Sequence, residues 1–194
     1  SDVYKRQIKD RLYCEGVDSL ERRSAQTALW MILDTITKLF APILAFTCDE
    51  IWQAMPHREG DDPRNVVLNE MNQPFAGYAL SPAEMEKWAL VEDLRDDVNV
   101  VLENARNEKK IGKALEAHVV LYPQGDEGKR AMEKLSAFTT DQLADLFIVS
   151  DVEIAQGAGA AGVKVPGIQA AVSEAKGEKC ERCWKHHIKV GADK

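Results

Sequence analysis

The stretch LERRSAQTALWMILDTITKLF, residues 20–40, decides the fold of the first part of the chain. Its apolar residues recur at spacings of three and four, which places them on one face of a helix; they are Ala25, Leu29, Ile32, Ile36 and Leu39. Asp18 and Glu21 form a capping-box pattern at the start, and Pro42 predicts the end or an interruption. We therefore predict an amphipathic helix from Leu20 to Phe40.

Further helices follow this one at short intervals. Thr47 and Glu50 predict a second capping box, with Phe46 packed against Ile51, at the start of a helix from Cys48 to Met55. Ser81-Pro82-Ala83-Glu84 opens another helix that extends to about Glu108. Its inward side consists of Met85, Trp88, Val91, Leu94, Val98, Val101 and Ala105. Several helices with short connections predict an antiparallel helix bundle over residues 1–110.

After Gly112 the pattern changes to that of a small α+β unit, residues 111–162. The β-branched run at residues 118–122 predicts a strand, and residues 147–154 predict another. Helical stretches lie between them near 129–135 and 141–146, and residues 155–162 (AQGAGAAG) are typical of a linker. Residues 57–65 form a polar loop and residues 66–71 a short extended segment. The predicted fold is mainly α, with residues 163–194 as a cysteine-containing tail.

Charge is distributed unevenly along the 194 residues. The net charge is −7, which argues against a protein that coats nucleic acid by bulk attraction. Residues 176–194, however, hold six lysines and arginines against three acidic residues, so any nucleic-acid contact is expected to be local. No apolar run is long enough to span a membrane, and the N-terminus has no apolar signal core. We expect a cytoplasmic protein.

The tail contains the motif GEKCERCWKHH, residues 177–187. Two thiolates three positions apart can bind one Zn²⁺ ion, and closed zinc sites need four ligands. Cys180 and Cys183 therefore form half of a site, because recruiting His186 and His187 as well would strain so short a loop. The spacing alone leaves metal binding and redox chemistry open. Cys14 and Cys48 lie beside apolar positions, which predicts core thiols.

Cationic and aromatic residues flank the two cysteines. Trp184 can stack on an unpaired base while Arg182, Lys179 and Lys185 hold phosphates, an arrangement that suits single-stranded RNA. The alternative is that Trp184 packs on the turn and the charges are merely solvated. Arg22 and Arg23 form a second possible phosphate-facing patch, or only a solvated surface. Asp61 and Asp62 are read as loop carboxylates without a partner.

Signatures of common enzyme classes are absent from the sequence. It contains no P-loop, no GxSxG, no HExxH and no Rossmann glycine pattern. These absences favour a recognition module over a catalyst.

Four stretches together resemble the C-terminal part of bacterial isoleucyl-tRNA synthetases. They begin at Ile8 (IKDRLYCEG), Ser19, Leu94 and Gly177 (GEKCERCW), and the resemblance covers about residues 8–184. The run APILAFTCDEIW, residues 41–52, is typical of the class I synthetases for isoleucine, valine, leucine and methionine. KKIGKALEA, residues 109–117, combined with KCERCW narrows the resemblance to the isoleucine enzymes.

The resemblance implies that the helical bundle binds the anticodon stem-loop of tRNA(Ile). It also implies that Cys180 and Cys183 are two of four zinc ligands, with a second CxxC expected beyond Lys194, and that Arg182 and Trp184 contact anticodon bases. The parent enzyme would attach isoleucine to its tRNA in a catalytic domain that uses ATP and Mg²⁺; this domain and the editing domain are expected to lie outside this sequence. We expect the chain to be a monomer and not catalytic by itself.

Two departures from the family stand out: its catalytic and editing domains are absent from the sequence, and the N-terminus differs. The first seven residues, SDVYKRQ, do not resemble the family, so apolar surface is expected to be left bare nearby. One alternative is the anticodon domain of a valyl or other class I synthetase, although the valine enzymes typically end in a coiled coil and not in KCERCW. The other is a non-enzymatic helical interaction module with a redox or metal-handling cysteine tail.

Overall fold

The structure, a computed structural model, describes residues 8–190. The described chain forms two compact units, Ile8–Ala79 and a second one that begins at Leu80. The domain limits at residues 110 and 162 stay a prediction, and SDVYKRQ lies outside the described residues. Within residues 8–190, no helix combines the length and apolar character that crossing a bilayer requires.

The first unit is helical. It contains α1 (Lys9–Tyr13), α2 (Leu20–Phe40) and α3 (Ala45–Ala54), followed by 3-10 turns at Val66–Leu68 and Ala76–Tyr78. The predicted bounds of α2 are confirmed. Its N-cap is Ser19 and not Asp18: the Ser19 hydroxyl accepts the Arg22 N–H and donates to Glu21. Ser19, directly before the first helical residue, is therefore the N-cap that the sequence pattern assigns to Asp18.

The predicted start of α3 at Cys48 is wrong. The N–H groups of Ile43 and Leu44 both donate to the Phe40 carbonyl, so the chain turns directly after α2 and the helix restarts at Ala45. Leu44 is the N-cap and provides no side-chain hydrogen bond. Phe46 is 94% exposed, which excludes the predicted contact with Ile51. The segment after the polar loop, predicted as extended, forms a 3-10 turn at Val66–Leu68.

Helix α2 buries a polar side and leaves its apolar side exposed. Asp34, Thr37 and Lys38 are its buried residues. The apolar residues Leu29, Ile32, Ile36 and Leu39 are exposed. The cause is a buried ion network: the Asp34 carboxylate pairs with the Arg58 guanidinium at 2.5 Å and with the Lys38 ammonium at 3.2 Å. The polar loop that carries Arg58 therefore lies against the charged side of α2.

The loop carboxylates both have partners, so the prediction that Asp61 and Asp62 lack them is wrong. Asp61 accepts the Arg58 N–H at 2.9 Å and pairs with Lys38 at 3.3 Å. Asp62 pairs with Arg64 at 2.6 Å, and hydrogen bonds from Arg64 lower the pKa of Asp62 to about 2.

The core of the first unit is small. It consists of Ala41, Cys48, Trp52 and Val66, so the prediction for Cys48 is confirmed. The Trp52 indole N–H donates to the Asp62 carbonyl at 3.1 Å, which satisfies its one buried donor. Cys14 is only half-buried.

The second unit begins with α4 (Pro82–Asn107), whose predicted capping box is confirmed. The Ser81 hydroxyl accepts the Glu84 N–H at 3.3 Å, and the Glu84 carboxylate accepts the Ser81 N–H at 2.8 Å. Most of the predicted inward residues are buried: Val91, Leu94, Val98 and Ala105, together with Leu102. Val101 is half-buried. Met85 and Trp88, in the first two turns, are exposed.

A four-stranded mixed sheet forms the rest of this unit. Its elements are β1 (Ala117–Pro123), α5 (Gly125–Leu135), α6 (Thr140–Phe147), β2 (Asp151–Ile154), β3 (Ala160–Ala161) and β4 (Ile168–Glu174). The strand order is β2-β1-β4-β3, with β1 and β2 parallel and the other pairs antiparallel. Helix α4 contacts β4, α5 contacts β1 and α6 contacts β2. A mainly α fold with a small α+β part is confirmed.

The sheet extends further along the chain than predicted. Strand β2 begins at Asp151 and not at Phe147, because Phe147 ends α6 and Ile148 adopts a left-handed conformation, with φ of 59°. Strand β3 lies in the predicted linker, and β4 lies in the segment assigned to the tail. Residues 155–162 are mostly alanine and glycine, whose backbones can pair in a sheet although their side chains bury little surface. Their sequence therefore does not predict a strand.

A buried carboxylate on α4 orders the connection between β3 and β4. Asp97 accepts the N–H groups of Val163, Lys164 and Val165 at 2.8–3.1 Å. A Cβ atom at Gly162 would meet the Asp97 carboxylate at 2.4 Å, so glycine is needed for this close approach. A charged group is therefore buried here with its hydrogen bonds satisfied.

Candidate nucleic-acid interface

The cysteine motif lies on a short hairpin. Strands β5 (Glu178–Lys179) and β6 (His186–His187) pair antiparallel, with Lys179 opposite His186. The Cys180 N–H donates to the Lys185 carbonyl and the Trp184 N–H donates to the Cys180 carbonyl, both at 2.9 Å. Trp184 is left-handed, with φ of 67°. The hairpin thus turns tightly around the two cysteines.

Gly177 makes the entry into this hairpin possible. Its φ is 97°, in a region that favours glycine. A Cβ atom there would meet the His187 backbone at 2.3 Å. The first residue of the sequence motif is therefore part of what shapes the turn.

The two cysteines share a pocket and a polar environment. The backbone N–H groups of Cys183 and Arg182 donate to the Cys180 sulfur and lower the pKa of the Cys180 thiol. A pocket of about 310 Å³ is bounded by both cysteines and by Ser150, Lys185, His186, His187, Lys189 and Val190. Stabilisation of the Cys180 thiolate suits metal ligation and nucleophilic thiol chemistry alike.

The histidines beside the pocket make local backbone contacts. His186 Nδ1 lies 3.3 Å from the Gly177 carbonyl oxygen, and His187 Nδ1 accepts the Lys189 N–H at 3.0 Å. Among residues 8–190, no group of three or more histidine, cysteine or acidic side chains is placed to hold a metal ion. The described structure thus brings together two thiols and no third ligand.

The turn presents an aromatic ring and cations to the surface. Trp184 is 51% exposed. The Lys179 ammonium lies 5.5 Å from the centroid of its ring, within the range of a cation–π contact. Arg182, between the cysteines, is exposed as well. Trp184, Lys179 and Arg182 are therefore grouped as the sequence predicts, and the ring is not buried in the turn.

Lys185 is placed differently from the other predicted contacts. Its ammonium forms an ion pair with the carboxylate of Asp145, near the end of α6. The two side chains are 22% and 32% exposed. The adjacent His186 N–H donates to the Ser150 hydroxyl at 2.7 Å, and that hydroxyl donates to the Leu115 carbonyl.

Sequence reasoning missed Asp145 and Ser150. They lie 40 and 36 residues from the partners they hold, and both belong to ordinary helix and loop patterns. No local signal marks them, because their role depends on how the hairpin folds back on the sheet.

The segment KKIGKALEA joins α4 to β1 beside the start of the tail. The Glu116 carboxylate accepts the N–H groups of Gly112 at 2.8 Å and Lys113 at 3.1 Å, which lowers the pKa of Glu116. The Ala175 N–H donates to the Glu116 carbonyl at 2.7 Å. This segment therefore anchors the end of β4 before the hairpin begins.

Arg22 and Arg23 lie in the first turn of α2, in the other unit. The Arg22 guanidinium donates to the Glu15 carbonyl at 3.1 Å. Arg23 is exposed and borders an apolar pocket of about 900 Å³, which is also lined by Leu20, Met31, Ile32, Phe75 and Tyr78. A phosphate-facing patch at these arginines stays a prediction.

Comparison with known proteins gives a consistent result. Residues 1–121 match the profile of the anticodon-binding domain of tRNA ligase. The chain is 44% identical over 193 residues to an isoleucine–tRNA ligase of Syntrophotalea carbinolica. The aligned region covers 98% of the chain and 20% of that protein. The chain is 41% identical over its whole length to the enzyme of the same name from Geobacillus kaustophilus, covering 21% of it. The chain spans about a fifth of the length of the curated relatives it matches.

Proposed function

Because the chain belongs to the family of anticodon-binding domains of tRNA ligases, we propose that it is the anticodon-recognition part of an isoleucine–tRNA ligase. The names and 38–44% identities of the relatives support isoleucine as the amino acid. The parent protein would attach isoleucine to tRNA(Ile) in a catalytic domain that uses ATP and Mg²⁺, and would also contain an editing domain. This chain supplies recognition of the anticodon stem-loop, as a cytoplasmic monomer.

The observation that carries the proposal is the cysteine hairpin with its half-exposed ring. Trp184 offers a flat apolar surface on which an unpaired anticodon base can stack, and Lys179 brings a positive charge to the same place. Arg182 adds a planar donor set that can bind a phosphate or a base edge. Binding is thereby local, in keeping with a chain whose net charge is −7.

The two cysteines fit half of a structural zinc site. Cys180 and Cys183 would supply two sulfur ligands, and the N–H groups that stabilise the Cys180 thiolate favour metal binding. A bound Zn²⁺ would pin the turn and so limit the motion of Trp184. Uptake of Co²⁺, followed by its thiolate absorption bands, tests whether the two cysteines bind metal. In a longer form of the protein that includes the expected second CxxC, the bands should appear and should disappear in Cys180→Ser; absence of bands in that longer form would contradict the fit.

Equilibrium binding of hairpin RNAs tests the proposed function. The 194-residue chain should bind an anticodon stem-loop with an isoleucine anticodon more tightly than a hairpin with the same stem and a shuffled loop. Binding should weaken as salt rises, because phosphate contacts release counterions. Equal affinity for both hairpins would refute anticodon recognition. Preference for a valine anticodon would instead support a valyl enzyme.

A redox or metal-handling module is the second candidate, favoured by the lowered pKa of Cys180. It predicts that the thiols react with iodoacetamide at a rate that bound RNA does not change.

The Arg22 and Arg23 patch belongs to the first proposal, and the double substitution Arg22→Gln/Arg23→Gln should reduce the salt dependence of RNA binding if both contact phosphates.

A further inference from the structure

We infer that the Asp145–Lys185 ion pair positions the Trp184 turn, so that Lys185 acts on RNA binding through the orientation of the hairpin and not through its own phosphate contact. This inference rests on the proposed function and revises the expectation that Lys185 binds RNA directly. It also assigns a role to Asp145, which no sequence motif includes.

The first step is the connection of the hairpin to the sheet-containing unit. Lys185 pairs with Asp145 near the end of α6, and the next residue, His186, donates its N–H to Ser150. Ser150 in turn donates to the Leu115 carbonyl. Two consecutive residues of the hairpin are thus held by two different parts of the unit, which limits rotation of the hairpin about either contact alone.

The second step leads from Lys185 to the tryptophan. Lys185 follows Trp184 directly, and its carbonyl accepts the Cys180 N–H, while the Trp184 N–H donates to the Cys180 carbonyl. Displacement of Lys185 would therefore disturb the first of these hydrogen bonds directly, and the second through Cys180, which both bonds share, and through Trp184, which adjoins Lys185 in the chain. Trp184 has a left-handed backbone, a conformation that costs free energy for a residue with a side chain and needs such support.

The third step concerns charge. The Lys185 ammonium is only 22% exposed and already faces a carboxylate. Releasing it to a phosphate would break that pair and leave Asp145 facing the polyanion. Lys179 and Arg182 carry exposed cations on the same hairpin, so phosphate binding does not require Lys185.

The substitution Asp145→Asn distinguishes a positioning role of Lys185 from direct RNA contact, because the two roles predict opposite changes in RNA affinity. If the pair positions the turn, Asp145→Asn should weaken binding of the isoleucine anticodon hairpin by roughly threefold or more. If Lys185 contacts RNA, loss of the Asp145 carboxylate should free its ammonium for a phosphate and strengthen binding. The slope of the logarithm of the affinity against the logarithm of the salt concentration should then become steeper by about one. Asp141→Asn, on the exposed first turn of α6, makes the same charge change and serves as the control; it should not weaken binding.

The exchanged pair Asp145→Lys/Lys185→Asp gives the rescue. It restores an ion pair at the net charge of the unmodified chain, so binding should recover, whereas Asp141→Lys/Lys185→Asp, which has the same net charge without the pair, should bind as weakly as a chain without the pair. A lack of recovery, or tighter binding by Asp145→Asn, overturns the inference.

Amide hydrogen exchange provides a readout that does not depend on RNA. In Asp145→Asn, the amides of Cys180 and Trp184 should exchange roughly threefold faster or more, while the amides of β1 and β4 keep their rates. Unchanged exchange in the turn overturns positioning even if RNA binding falls. If the unmodified chain does not distinguish the two hairpin RNAs, the proposed function fails, and the exchange result still decides the role of the ion pair.

Discussion

Helices α2 and α4 have similar sequence patterns but bury opposite kinds of side chain. Helix α4 buries Val91, Leu94 and Val98 in the core of its unit, whereas α2 buries Asp34 and Lys38 and exposes its apolar side. Periodicity therefore establishes that each segment is a helix, and the neighbouring chain determines which side is covered. In α4 the neighbour is an apolar sheet, whereas α2 lies against α1, α3 and the charged loop.

The largest expected effect comes from removing the centre of the buried ion network in the first unit. Asp34→Ala would leave the Lys38 ammonium buried beside Asp61 alone, and loss of one partner from a buried pair costs about 3–5 kcal/mol of folding free energy. Denaturation in urea, followed by tryptophan fluorescence, measures the change. Asp62→Ala removes a carboxylate whose partner Arg64 is exposed and should leave stability nearly unchanged; equal losses would contradict the account.

A matched pair of leucines sharpens the comparison of the two helices. Leu94→Ala empties a site in the core of the second unit and should cost about 2–5 kcal/mol. Leu39→Ala removes the same atoms from the exposed side of α2 and should change stability by about 0.5 kcal/mol or less. If Leu39→Ala is as destabilising as Leu94→Ala, then the apolar side of α2 is covered in solution.

Acidification should have a smaller effect, through Glu116. Its folded-state pKa lies below the ordinary value of 4.5, because the Gly112 and Lys113 N–H groups donate to the carboxylate. Its contribution is therefore present above about pH 4.5 and is lost as the pH falls through the folded-state pKa. The thermal midpoint of the unmodified chain should exceed that of Glu116→Gln at pH 7, and the gap should close on acidification. A gap that does not depend on pH would be contrary to this assignment.

Local signals explain what could be predicted. The bounds of α2, the capping box of α4 and strand β1 follow from spacing, a cap or a β-branched run within a few residues. The error at α3 has a local cause too. Thr47 and Glu50 have the spacing of a capping box, but both lie inside a helix that already begins at Ala45, directly after the turn at Phe40.

Long-range charge pairing explains what could not be predicted. Arg58 pairs with Asp34 across 24 residues and Lys185 with Asp145 across 40, and neither spacing has a sequence signature. The cysteine turn itself was recognisable, because its CxxC, its tryptophan and its cations are contiguous. Its attachment through Ser150 and Asp145 was not, since that depends on the completed sheet.

Binding of Trp184→Ala to the isoleucine anticodon hairpin tests the central claim most directly. Stacking of a base on an aromatic side chain contributes about 1–3 kcal/mol, so this variant should bind at least about fivefold more weakly than the unmodified chain. Trp88→Ala, which removes an exposed tryptophan far along the sequence from the cysteine hairpin, is the control and should bind normally. Unchanged affinity in Trp184→Ala would contradict the claim that this turn reads unpaired nucleotides.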